Sequence, residues 1–157
     1  MSNQTTQFRS EIKLLLQAAL LILTFTVVIG IINGLDIIDF DRKQLMSHVH
    51  AGTLGWITLG FVAACLWIFS EGQAATGWRA AAPRWLGVAA TVSVAFYAYA
   101  FYVGDLDLRL IGGLASLAVI TAFYVWILFQ MRGAVLSTPR LGMVAAATTF
   151  TIGAVAG

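Results

Sequence analysis

The sequence predicts an all-α protein, a polytopic bundle of transmembrane helices with four complete spans and a fifth, truncated one. Three observations lead to this prediction: 60% of the 157 residues are hydrophobic, only 10% are charged, and the mean hydropathy is +0.88. Soluble domains are about 45–50% apolar and about 25% charged. The composition therefore excludes a soluble enzyme, a disordered chain and a nucleic-acid-binding protein as first interpretations.

Five apolar runs, all without Asp, Glu, Lys or Arg, are the predicted spans. A helix rises about 1.5 Å per residue and the hydrocarbon is about 30 Å thick, so about 20 residues cross it. We expect one transmembrane domain over residues 1–157, with spans at 14–33, 47–69, 85–103, 110–130 and 141–157. Because the last run reaches the end of the sequence, we expect a truncated span and a longer protein.

The loops between the runs differ in charge. The N-terminal tail and the loops at 70–84 and 131–140 hold six basic and two acidic residues, a net charge of +4. The loops at 34–46 and 104–109 hold three basic and five acidic residues, a net charge of −2. Basic residues accumulate in cytoplasmic loops. The N-terminus is therefore predicted to be cytoplasmic, and the second span to start at the outer face.

Aromatic residues collect near the predicted ends of spans. We interpret four tryptophans as an inner aromatic belt at the membrane interface: Trp67, Trp78, Trp85 and Trp126. Five further aromatics lie near the outer end of the third span, where they form either an outer belt, which we favour, or the lining of a cofactor pocket: Phe96, Tyr97, Tyr99, Phe101 and Tyr102.

Both histidines of the chain, His48 and His50, lie where the second span begins. Histidine is uncommon in spans and indicates function when found there, and imidazole is a common ligand of haem iron, copper and zinc. Ser47 or Asp41 is expected to cap this helix. Residues i and i+2 point about 200° apart on a helix. The two histidines would therefore share one metal only if the helix start is unwound.

The residues that follow distinguish the two histidines. His48 shares its face with Gly52 and Gly55, a lane without bulky side chains that either a flat macrocycle or another helix can approach closely. His50 shares its face with residues of packing type, such as Leu54. We therefore predict His48, His50, Gly52 and Gly55 as cofactor-binding residues, with the two histidines as metal ligands. The alternative is that the glycines serve helix packing only and the histidines are interfacial polar residues.

Other chemistry has little support in the sequence. A third histidine is absent, so a copper site of three imidazoles cannot be built from this chain. Cys65 is the only cysteine and lies in an apolar run, which implies neither a disulfide nor a zinc site. The spans contain no carboxylate or lysine for a proton relay. We found no nucleophile–base pair and no phosphate-binding loop.

Gly30 and Gly34, at the end of the first span, are followed by a short loop and then by the stretch LMSHVHAGTLGW at residues 45–56. This pattern resembles helices I and II of subunit I of the haem–copper oxidase superfamily, in particular of C-type cytochrome oxidases and the large subunit of nitric oxide reductase. The resemblance covers residues 14–69. It implies a bacterial inner-membrane protein with a cytoplasmic N-terminus, which agrees with the orientation derived from the charges.

The resemblance implies a low-spin haem, with His48 as the matching axial ligand and His50 as the next candidate. The family's second haem ligand and its copper ligands lie on later helices that this sequence lacks. Alone, the chain therefore has an incomplete catalytic site, and further helices or a second protomer would supply the rest. Two alternatives stay open: a small membrane copper-binding or assembly protein, and a structural or transport subunit without a redox cofactor.

Overall fold

The computed structural model describes residues 7–70, 75–132, 134–135 and 137–156, and the regular structure in these residues is helical. The elements are α1 (Arg9–Gly34), α2 (Arg42–His50), a π-helical segment (Ala51–Ile57), α3 (Thr58–Ser70), α4 (Trp78–Val103), α5 (Leu106–Met131) and α6 (Thr138–Ala156). The prediction of an all-α helical bundle is confirmed. The π-helical segment joins α2 and α3 into one continuous rod of 29 residues.

Among the described residues, four helical rods are long and apolar enough to cross a membrane: Arg9–Gly34, Arg42–Ser70, Trp78–Val103 and Leu106–Met131. Each predicted complete span lies inside one of them. The fold is therefore that of a multi-pass membrane protein, and exposed aliphatic side chains on these rods face the lipid. The predicted fifth run corresponds to α6, which lies outside this set of four, and its last residue, Gly157, lies outside the described residues.

Successive rods run in opposite directions and pack side by side. α1 packs against the rod formed by α2, the π-helical segment and α3, α4 packs against α2 and α5, and α6 packs against α5 and α3. At one end, which we call the tryptophan end, Phe8 contacts the ring of Trp126. At the other, which we call the histidine end, Lys43 donates a hydrogen bond to the carbonyl of Val103.

The tightest core lies toward the tryptophan end, where Leu15, Leu66 and Trp126 are fully buried. The indole Nε1 of Trp126 donates a hydrogen bond of 2.9 Å to the carbonyl of Arg79. The prediction that Trp126 belongs to an interfacial belt is therefore wrong. An indole can be buried in the core when its N–H finds an acceptor there, as that of Trp126 does. Trp67, Trp78 and Trp85 are exposed, as a belt requires.

Candidate histidine site

The helix that carries the histidines begins at Arg42, before the predicted span. The Asp41 side chain accepts a hydrogen bond from the backbone N–H of Gln44, and the Gln44 side chain accepts one from the N–H of Asp41. This reciprocal capping box satisfies two orphan donors of the first turn. Of the two predicted caps, Asp41 is correct and Ser47 is wrong. Ser47 is buried inside the helix.

Ser47 instead ties the histidine helix to its neighbour. Its hydroxyl donates a hydrogen bond of 2.8 Å to the carbonyl of Ala98 on α4. A carbonyl in a helix interior already accepts its own helical bond, so the hydroxyl uses the second lone pair. This bond sets the position of α2 against α4 at the level of both histidines.

The π-helical segment begins directly after His50 and contains both predicted glycines, Gly52 and Gly55. π-Helical turns are rare and occur frequently at functional sites. Their i→i+5 bonds widen the helix and shift the side chains that follow. The predicted lane nevertheless keeps one face, because His48, Gly52 and Gly55 all lie against α1.

The His48 ring packs on α1. A Cβ built on Gly30 would lie 3.6 Å from His48 Cε1 and 3.9 Å from Nε2, so the ring rests over this glycine. The Nδ1 atom of His48 is buried and has no hydrogen-bond partner among the described residues. A ligating histidine ordinarily has its second ring nitrogen bonded to a carbonyl or carboxylate. His48 lacks this support.

The glycine lane is filled by α1. A Cβ on Gly52 would lie 3.7 Å from Thr26 Cγ2, and one on Gly55 would lie 2.6 Å from Ile22 Cγ2. The sequence left open whether a macrocycle or another helix lies against this lane. In the structure the helix α1 lies there. Side chains of α1 lie along the lane in this conformation, and the assignment of Gly52 and Gly55 as cofactor-binding residues stays a prediction.

His50 faces the opposite way, toward α4. Its ring stacks on Phe101, with the centroids 3.5 Å apart and an interplanar angle of 16°, and it meets the edge of Tyr97 at 5.7 Å. Its Nδ1 lies 2.7 Å from the carbonyl oxygen of Met46. A carbonyl only accepts, so Nδ1 carries the proton and, in neutral imidazole, Nε2 keeps its lone pair.

The aromatic run of the third span divides between the two predicted roles. Tyr97 and Phe101 turn inward to His50, whereas Tyr99 and Tyr102 are more than half exposed, as in a belt. Arg109, on α5, completes the cluster, with its guanidinium carbon 4.9 Å from the Phe101 ring centroid. Sequence reasoning placed Arg109 in a loop and missed it. The i, i+4 spacing of Tyr97 and Phe101 was the available signal for the inward pair.

The two histidine rings thus contact different helices, and α2 is regular from Arg42 through His50. Shared chelation, which needs an unwound start, is not present in this conformation. In the parts of the chain that the structure describes, no group of three or more His, Cys, Asp or Glu side chains is placed to hold a metal ion. The imidazole suited to act alone as a donor is that of His50.

No protein-family model, no curated protein and no solved structure matches the chain.

Proposed function

We propose that this protein is an integral membrane haem protein for electron transfer, and that His50 supplies one axial imidazole. The observation that carries the proposal is the bond between His50 Nδ1 and the Met46 carbonyl. Such a bond fixes the tautomer, orients the ring and raises the basicity of the other nitrogen. The stacked ring of Phe101 holds the imidazole in this orientation as well.

The resemblance to subunit I of the haem–copper oxidases favours the same class, with one change. The motif matches His48 to the family's haem-ligand position. The His48 ring, however, lies over Gly30, and its Nδ1 has no hydrogen-bond partner among the described residues. We therefore assign the axial role to His50. His48 serves the packing of α1 on α2. When bound, the haem would supply a one-electron couple, while the Met46 carbonyl and the Phe101 ring orient the imidazole.

His50 would hold the haem from one side only, because the other histidine, His48, lies against α1. The second ligand would come from another protomer or from further helices of a longer subunit. We propose further that the chain lies in a bacterial inner membrane with its N-terminus in the cytoplasm. The six basic residues on that side against three on the other support this orientation. The histidine end then faces the periplasm.

The test is an absorption spectrum of purified protein after haem supplementation, for the wild type and the variants His50→Ala and His48→Ala. We expect a Soret band in the wild type, its loss in His50→Ala and its retention in His48→Ala. Tryptophan fluorescence of each variant checks that the bundle is folded. The two histidines are two residues apart at the same membrane depth, so each variant is the control for the other.

The opposite pattern, with the band lost only in His48→Ala, would refute the assignment to His50 while keeping the haem. No Soret band in folded wild-type protein would refute haem binding. Metal analysis of the same sample then separates the remaining classes. Stoichiometric copper would indicate the copper-binding alternative, and no metal would indicate a structural or transport subunit.

A further inference from the structure

A groove of about 470 Å³ opens in the half of the bundle that contains the histidine end. It lies along α5, with walls from the π-helical segment, α4 and α6. Most of its lining is aliphatic, and the lining includes no aspartate or glutamate. The polar groups come from three side chains: Tyr97, Arg109 and Ser116.

Ser116 and Thr58 are exceptions among the buried hydroxyls of the described spans, and of the two only Ser116 lines this groove. Thr24, Thr91 and Ser93 each donate to a carbonyl of their own helix, which is the usual way to satisfy a hydroxyl in a span. Ser116 is 6% exposed, lines the groove and has no hydrogen-bond partner among the described residues. A buried hydroxyl without a partner costs free energy, so an acceptor in the groove would be bound favourably.

Arg109 stands in the first turn of α5 at the mouth of the same groove. Its Nε is buried without a partner among the described residues, and its guanidinium lies over Phe101. A guanidinium binds phosphate by paired, charge-assisted hydrogen bonds. Arg109 is the charged side chain of the described lining, which contains no carboxylate, and this favours an anion over a zwitterion as the ligand.

The spacing of the two groups indicates the shape of the occupant. Arg109 and Ser116 are seven residues apart on one helix, about 10.5 Å along its axis. Groups this far apart suit an elongated ligand with an anionic headgroup and a second acceptor, and the aliphatic lining of the groove suits its acyl chain.

We propose that this groove binds one anionic phospholipid. Its phosphate pairs with Arg109, an ester carbonyl accepts the Ser116 hydrogen bond, and an acyl chain lies along the leucines of α5. The groove adjoins the His50 cluster through Tyr97 and Arg109, but its two anchoring groups, Arg109 and Ser116, are not histidines, so lipid binding can be measured in protein without haem. The groove selects this lipid from the surrounding bilayer by the charge of Arg109 and by the hydrogen bond that the buried Ser116 hydroxyl donates.

The test is native mass spectrometry of delipidated protein in non-ionic detergent, titrated with dioleoyl phosphatidylglycerol or dioleoyl phosphatidylcholine. We expect one tightly retained phosphatidylglycerol and at least tenfold weaker retention of phosphatidylcholine. Arg109→Gln should weaken phosphatidylglycerol binding at least tenfold and Ser116→Ala several-fold. Arg132→Gln is the matched control. Like Arg109, Arg132 lies over a phenylalanine ring, that of Phe129, but it is at the tryptophan end and outside the groove.

Ser116→Leu fills the groove without a change of charge and should abolish the adduct, so the result does not rest on Arg109→Gln alone. Equal retention of the two lipids, or retention of phosphatidylglycerol by folded Arg109→Gln or Ser116→Leu protein, would overturn the proposal. Displacement of the adduct by millimolar inorganic phosphate would also overturn it, because the groove would then be a site for soluble phosphate.

Discussion

Replacement of Gly55 by alanine tests whether the glycine lane is a helix-packing surface. The added Cβ would lie 2.6 Å from Ile22 Cγ2 and 3.3 Å from its Cδ1, closer than carbon atoms approach without displacement. Overpacking of this kind costs about 1–3 kcal/mol. Gly60→Ala is the control, because nothing lies within 4 Å of a Cβ at that position.

The magnitude follows from the comparison of the two variants. Each gains up to about 1 kcal/mol in helix propensity, because alanine loses less backbone entropy than glycine. The gain is common to both, so Gly55→Ala should be less stable than Gly60→Ala by about 1–3 kcal/mol. At about 1.4 kcal/mol per factor of ten, the unfolding equilibrium constants differ by roughly fivefold to more than hundredfold.

The assay is reversible unfolding in mixed micelles with increasing denaturing detergent, followed by tryptophan fluorescence. A double-mutant cycle with Ile22→Ala assigns the cost to one contact, since Gly55→Ala should be nearly free of penalty once the Ile22 side chain is truncated. Equal stability of Gly55→Ala and Gly60→Ala, or an undiminished penalty in the Ile22→Ala background, would show that α1 does not occupy the lane.

Two other positions offer independent checks. Asp41→Ala removes the cap of the histidine helix and should lower the free energy of unfolding by about 0.5–2 kcal/mol, whereas Asp39→Ala, exposed in the same loop, should change it little. Equal effects of the two substitutions would contradict the capping box. Trp126→Phe keeps a ring in the core but loses the bond to the Arg79 carbonyl, so we expect a loss of about 1–3 kcal/mol and a weaker blue-shifted emission. An unchanged emission maximum and stability would contradict the burial of Trp126.

The helical class and the positions of the four rods were predictable from the sequence, because apolar runs of span length admit few structures in a bilayer. A backbone in hydrocarbon must satisfy its own hydrogen bonds, and a helix does so locally. The rods nonetheless extend beyond the runs. α1 begins at Arg9 and α2 at Arg42, since charged residues and a polar cap suit helix ends as they emerge into water.

The candidate site was predictable in part. Histidines at the start of a span are conspicuous in the sequence, and both lie at the predicted end of the second rod. Their difference was not predictable, because it depends on neighbours distant in sequence: Gly30 under His48, and Phe101 beside His50. The π-helical segment also has no clear sequence signal.

The sequence by itself determined the class of this protein, its rods and the depth of its two histidines, since hydropathy and helix geometry are local properties of consecutive residues. Only the tertiary structure decided which helix covers each surface. It placed Trp126 in the core rather than the belt, filled the glycine lane with α1 and joined Arg109 to the aromatic cluster. Such choices depend on shape complementarity between residues far apart in the chain, which no periodicity within one segment records.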